Sequence, residues 1–219
     1  MTCVGLICLS NMGRVTNNDT VKLSPRLLTV LAGALGCLFL VSCAKTTPQM
    51  AHVQFTERED YPKTSLYWKD VELYESVSAE DTFIKIDTGL QRGFLMSGDL
   101  IVIDYPICSG RKTHPTPKGT FKILEKKEEK SSNRYGRIYD AEGKMINGDA
   151  DIREDEVPEG GEFVGAPMPY WMRLNNDGIG HHIGPTLRRP SSHGCIRGPV
   201  KVVPLVYARV TKGSEVVID

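Results

Sequence analysis

The chain lacks an excess of charge of either sign: 27 Lys and Arg balance 27 Asp and Glu, a formal net charge of zero. Three of the basic and one of the acidic residues precede Cys43, which leaves 24 against 26 and a slightly acidic remainder. Without a basic surplus there is no electrostatic footprint for nucleic acid. Cysteine is scarce too: six occur, at 3, 8, 37, 43, 108 and 195, so only two thiols follow Cys43. His181, His182, His193 and Cys195 do not form a regular ligand spacing, so neither a zinc site nor any other metal centre is expected. No glycine-rich phosphate loop and no Gly-x-Ser-x-Gly elbow is present, which removes nucleotide hydrolases and the common serine hydrolases.

The N-terminus carries one signal of its own. Arg14, Lys22 and Arg26 precede an apolar run over residues 27–41, which ends in Leu40-Val41-Ser42-Cys43. The run is short for a membrane span and has the length of a secretory h-region. Its ending resembles a bacterial lipobox, which implies cleavage before Cys43, lipidation of its thiol and an exported, membrane-anchored product. The alternative is an uncleaved anchor helix, and that too exports the rest. Ala44 after the cysteine is consistent with an outer-membrane destination facing the periplasm. Met12 is a second possible start, because the positive region lies beyond it.

Three segments follow: a signal peptide over 1–43, a tether and lead-in over 44–79, and a folded domain over 80–219. Residues 44–62 are polar and aperiodic, as in a linker. Around Val71, Leu73 and Tyr74 the pattern fits a short helix or an edge strand equally. From Thr82 the pattern becomes strand-like, and residues 82–87 alternate. Residues 82–87, 92–96, 100–107 and 120–124 read as strands, with Ser97-Gly98-Asp99 as a hairpin turn. The charge run over 126–134 reads as a solvated loop or hairpin end, and 140–161 shows no period. Strands are expected again at 169–174, 178–182, 200–203 and 214–218, with a short helix over 205–210. Many short strands with turn signals predict a mostly β, sandwich-like domain with minor helix.

Ser192-His193-Gly194-Cys195-Ile196-Arg197 is the segment that carries chemistry. A thiol attacks only as thiolate, and a free cysteine has a pKa of about 8.5. Imidazole and guanidinium neighbours favour ionisation, while Gly194 leaves room for a carbonyl to reach the sulfur. Together with His182 upstream this pattern points to a covalent cysteine nucleophile. Histidine suits the role of base and then acid because its ordinary pKa is about 6.5. Adjacent side chains on a strand point to opposite faces, so only one of His181 and His182 reaches the thiol. His114 lies in a Thr- and Pro-rich loop and is expected to be exposed.

These residues resemble the L,D-transpeptidase catalytic domain, or YkuD family. The resemblance rests on His-x-Gly at His182 and Gly184, on Ser-His-Gly-Cys about ten residues later, and on Arg197. The stretch from Gly165 to Leu174 leads into that pattern. The upstream run Cys108-Ser-Gly-Arg-Lys-Thr-His-Pro-Thr-Pro-Lys-Gly-Thr-Phe121 is similar to a second family segment. The short gap, with only residues 183–191 between His182 and Ser192, is similar to one branch of the family.

The resemblance implies Cys195 as nucleophile and His182 as base, with His181 then a surface residue. It implies that His193 shapes the cysteine loop, and backbone N–H groups at Gly194 and Cys195 are the candidate oxyanion donors. Arg197, Ser192, Tyr170, Trp171 and Arg173 are the implied substrate-binding positions. For Arg197 the alternative is a structural ion pair, and for Trp171 a core aromatic. Cys108 is either a small buried residue or a redox partner of Cys195. The implied substrate is the peptidoglycan stem peptide, without a cofactor. The acceptor is a second stem amine, water (an L,D-carboxypeptidase) or the lysine of an acceptor lipoprotein. Two other readings are a general cysteine peptidase, which would leave the Thr-Pro-Lys-Gly run unexplained, and a wall-binding module without turnover, which would normally lack the Cys or the His.

Overall fold

The structure is a computed structural model that describes residues 48–219. The expected signal segment and the lipidation site at Cys43 lie outside the described residues. The chain begins with helix α1 (Pro48–Thr56), strand β1 (Trp68–Lys69) and helix α2 (Val71–Ser76). Strands β2 (Phe83–Asp87), β3 (Arg92–Ser97), β4 (Leu100–Pro106), β5 (Gly119–Lys122) and β6 (Glu125–Lys127) follow. Next come β7 (Ser131–Tyr139), β8 (Met145–Asp151), β9 (Glu162–Pro167), β10 (Trp171–Arg173), β11 (Gly180–Ile183) and β12 (Ile196–Gly198). Helix α3 (Val203–Ala208) and strand β13 (Glu215–Ile218) complete the described chain.

Three sheets result: β1-β4-β3-β2-β13-β5, β12-β11-β10-β6 and β8-β7-β9. Alternation sets the first. Ile84 and Ile86 of β2 are fully buried around an exposed Lys85, and Val216 and Ile218 of the parallel β13 do the same on the adjoining strand. The second sheet adds Met172 and Ile196 to the same core, and α3 closes it with Val203 and Val206. The expected mostly β domain with minor helix is what the chain forms.

Several local expectations are corrected. Residues 200–203 do not form a strand. Val202 N–H bonds the Pro199 carbonyl at 3.0 Å, and Pro204 sits in the first turn of α3, where a missing N–H costs nothing. The charge run is not a solvated loop either. It supplies β6 and the start of β7, and Lys126 Nζ donates to the Tyr207 carbonyl at 2.7 Å and also to the Val210 carbonyl. The aperiodic segment contains β8, paired with β7 through register shifts.

The largest departure is at the start. Residues 48–62 were expected as linker, yet α1 packs on the first sheet. His52 Nε2 lies 2.9 Å from Asp104 Oδ2, and the Tyr61 hydroxyl donates to the same carboxylate at 3.3 Å. Asp104 is fully buried, and its other oxygen pairs with the equally buried Arg92 at 2.6 Å. Arg92 also donates to the carbonyls of Thr64 and Leu66. A buried ion pair needs its remaining hydrogen-bonding capacity satisfied, and here the lead-in segment satisfies it. Around Tyr74 the open choice resolves as helix, with the Asp70 side chain capping α2 by accepting from Leu73 N–H at 3.0 Å.

Candidate active site

Strand parity builds the site. Strands β11 and β12 run parallel, with His181 beside Ile196 and His182 beside Arg197. Cys195 stands two residues before Arg197 and so shares its face, which is the face of His182. His181 and Ile196 point the other way, into the core. Cys195, His182 and Arg197 together line one cavity of about 970 Å³, with His193, Trp171 and Arg173 also on its walls.

The cysteine loop is fastened by the upstream motif. Cys108 and Arg197 exchange two backbone hydrogen bonds of 2.9 Å, and Arg111 N–H bonds the Ser192 carbonyl at 2.9 Å. Thr116 Oγ1 donates to the Gly194 carbonyl at 2.7 Å and accepts from Gly110 N–H at 2.8 Å. Gly110 has to be glycine, because a Cβ there would lie 2.1 Å from the His114 carbonyl oxygen. Gly194 adopts φ +111°, and a Cβ on it would meet Ile179 Cδ1 at 2.6 Å. The two motifs, eighty residues apart in sequence, are one piece of backbone in space.

His182 donates Nδ1–H to the Ile183 carbonyl at 2.8 Å, and a carbonyl can only accept. The proton is therefore on Nδ1, and Nε2 is left as the basic nitrogen. Burial lowers the pKa of His182 to about 3, with the charges of His181 and Arg197 pushing the same way. Burial raises the Cys195 thiol, against the Gly180 N–H and Arg197, which favour its anion. The thiol donates to the Gly178 carbonyl at 3.5 Å. The resting pair is thus a neutral thiol and a neutral imidazole.

The expected site residues fall into three groups. Cys195, His182, His193, Arg197, Trp171 and Arg173 meet at the cavity. Arg197 lines the cavity and forms no ion pair among the described residues. Gly184 allows its stem to pass, since a Cβ there would be 2.9 Å from Arg197 Cγ. Trp171 is both core and wall: it is 2 % exposed, and its ring centre lies 6.0 Å from that of His182. Arg173 Nε stands 3.8 Å from Glu125 Oε2.

Ser192 and Gly194 serve the loop itself. The buried Ser192 hydroxyl donates to the Cys195 carbonyl at 2.5 Å and accepts from Gly194 N–H at 3.1 Å. That corrects two expectations. Ser192 is committed within the loop rather than offered to substrate, and Gly194 N–H is not free for an oxyanion. The Cys195 N–H makes no such bond among the described residues.

Three residues are not where they were expected. Tyr170, at φ +55°, turns from the cavity and packs edge-on against Tyr207 at 5.3 Å, because it lies on the opposite face from Trp171. His181 is fully buried rather than on the surface. Its Nε2 lies 3.0 Å from the Tyr105 hydroxyl and its Nδ1 2.9 Å from the Ile196 carbonyl, so the inward face of β11 can hold it. His114 is half-buried against His193, with ring centres 5.2 Å apart, because the loop folds back over the cysteine turn. Cys108 is fully buried, its Sγ 2.9 Å from Ser191 Oγ and 3.3 Å from the Arg189 carbonyl, as suits a small core residue.

Sequence reasoning missed Arg111, Thr116, Tyr135 and Asp149. The first two lie inside the upstream motif and could have been found there. Tyr135 and Asp149 come from the third sheet, which covers the cavity and carries no periodic signal.

A comparison with curated proteins finds no match. Solved structures similar to this chain include an L,D-transpeptidase from Mycobacterium smegmatis, at 19% identity and TM-score 0.49, over 64% of this chain and 58% of that one. A mutant of an L,D-transpeptidase from Enterococcus faecium matches at 24% identity and TM-score 0.46, over 64% and 50%. A third, from Stackebrandtia nassauensis, matches at 18% identity and TM-score 0.46, over 65% and 58%. The chain thus spans between half and three-fifths of the length of these relatives. The family model described as the L,D-transpeptidase catalytic domain, YkuD, matches residues 81–218, and by that match the chain belongs to the YkuD family.

Proposed function

We propose that the chain is a peptidoglycan L,D-transpeptidase that works through a Cys195 thioester. The observation that carries this reading is the shared face of β11 and β12, on which Cys195, His182 and Arg197 open into one cavity. Cys195 Sγ attacks the carbonyl of the third stem residue while His182 Nε2 takes the thiol proton. Because both groups rest neutral, the proton moves during attack rather than before it. The tetrahedral oxyanion faces the Cys195 N–H, a donor aimed where charge develops. Its collapse expels the amine of the terminal D-alanine, which takes the proton from His182. An acceptor amine then gives its proton to His182 and attacks the thioester, and the released sulfur regains a proton. Arg197 offers paired donors to a substrate carboxylate. No cofactor enters these steps. The membrane tether belongs to the same proposal: a lipid on Cys43 would hold the domain beside an insoluble polymer at high effective concentration.

Mass spectrometry of the purified chain with a disaccharide-tetrapeptide, beside Cys195→Ala, tests the reading. Release of D-alanine with dimer formation is the expected result. Tripeptide alone identifies water as acceptor, and a persistent Cys195 adduct identifies a missing one, such as a protein lysine. Neither adduct nor product sinks the catalytic reading and leaves a wall-binding module.

A further inference from the structure

His193 stands two residues before the nucleophile, yet the chemistry above gives it no proton to carry. Its surroundings explain why. Nη2 of Arg111 lies 2.6 Å from His193 Nε2. A guanidinium has no lone pair to offer, so Nε2 must accept, and the imidazole proton is on Nδ1. The same guanidinium donates through Nη1 to Asp149 Oδ2 of β8 at 3.1 Å. Asp149 Oδ1 is 3.6 Å from His193 Nε2, beyond hydrogen-bond reach. Tyr135 of β7 stacks on the ring at 4.2 Å, and His114 meets it edge-on. The remaining charge facing His193 is Arg197 of β12.

We propose that Arg111 is a positioning residue: by holding His193 Nε2 and the Asp149 carboxylate at once, it keeps His193 neutral under the third sheet and leaves His182 as the one base at Cys195. This rests on the reading of Cys195 as nucleophile. Burial under the third sheet and two cations, Arg111 and Arg197, oppose a charge on His193, and only Asp149 favours one; the Nε–H of Arg111 also donates to His114 Nδ1 at 3.5 Å. Removing Arg111 frees Nε2 and turns it toward Asp149, so a proton becomes welcome there. A charged His193 then draws toward Asp149 and away from Tyr135, and drags the cysteine turn with it.

The test is proton NMR of the histidine Cε1–H signals of the purified full chain against pH, with His193 assigned through His193→Gln. In the unaltered protein His193 should titrate below the ordinary histidine value of about 6.5. In Arg111→Ala it should rise by about one pH unit, since one opposing cation and its hydrogen bond are gone. Arg111→Gln keeps an N–H donor without charge and should fall between the two; it also stands in if Arg111→Ala fails to fold. On stem peptide, Arg111→Ala should gain an acid limb, with kcat about tenfold lower at pH 5.5 than at 7.5, at the same pH as the His193 titration. An unchanged His193 titration in the folded variants overturns the proposal. If the unaltered chain turns over no stem peptide while the titration moves as stated, the proposed reaction fails and the Arg111 assignment stands.

Discussion

At the scale of single residues, the site divides its labour by hydrogen-bond direction. The Ile183 carbonyl fixes which nitrogen of His182 is basic, and the Ser192 hydroxyl takes up the Gly194 N–H. His182→Gln should lower kcat on stem peptide by about 10²–10⁴-fold with KM little changed, the usual yield of a positioned base. Steady-state rates over a range of substrate concentration would show it, and a loss confined to KM would contradict the assignment. Cys195 makes a second expectation. Burial holds its thiol above the ordinary range, so alkylation by iodoacetamide should be slow at pH 7 and still be rising above pH 9. A plateau below pH 7 would mean a preformed thiolate. Arg197→Ala should raise KM more than it lowers kcat, and Arg197→Lys should restore only part, because an ammonium cannot match a carboxylate bidentately.

At the scale of elements, the third sheet is the part to probe. It is tied internally by Arg134, whose Nε donates to both Asp151 oxygens at 3.0 and 2.9 Å and whose Nη2 donates at 2.6 Å. The Arg134 hydrogen bonds lower the Asp151 pKa. A depressed carboxylate contributes above its unfolded value and loses that contribution as pH falls through the folded one. Amide exchange in β7 and β8 should therefore quicken as pH drops below about 4, after correction for the intrinsic rate. Asp151→Asn should show the quickened exchange already at pH 7. Protection unchanged in Asp151→Asn would mean that β7 and β8 hold without this pair.

At the scale of the whole molecule, the domain is larger than the segment the family model covers. A chain beginning at residue 81 would keep Arg92 and Asp104 but lose His52, Tyr61 and the carbonyls of Thr64 and Leu66 that satisfy them. Hydrogen bonds to charged groups contribute about 1.5–3 kcal/mol each, and this truncation removes several. Such a chain should melt far below one beginning at residue 44, and circular dichroism would read the difference. Stability against pH supplies a further test. Burial lowers His181 to about 4 and His182 to about 3. Between those values and the unfolded value of about 6.5, the unfolded chain binds more protons, so stability rises with pH across that window. The melting temperature should climb from pH 4.5 to 7, and His181→Phe should flatten part of the climb. A melt indifferent to pH in that window would contradict the burial of both imidazoles.

Read alone, the amino-acid order already determined the alternating strand β2, the β-rich runs of β3, β4 and β13, and the two motifs, around Cys108 and around Cys195, that meet in space. Those signals are local: runs of strand-forming residues and short motifs need only near neighbours to be legible. Only tertiary structure decided that α1 packs on the sheet, because Pro48–Thr56 has no apolar face and is held by Asp104, fifty residues away. It alone decided that an aperiodic, polar stretch forms the third sheet, since register there rests on backbone hydrogen bonds that carry no side-chain pattern. It also turned His181 inward, for strand parity says that two adjacent histidines differ in face but not which face is the core. The assignment of Arg111 to His193 belongs to the same class: it exists only once the upstream loop, the cysteine turn and β8 share one corner of space.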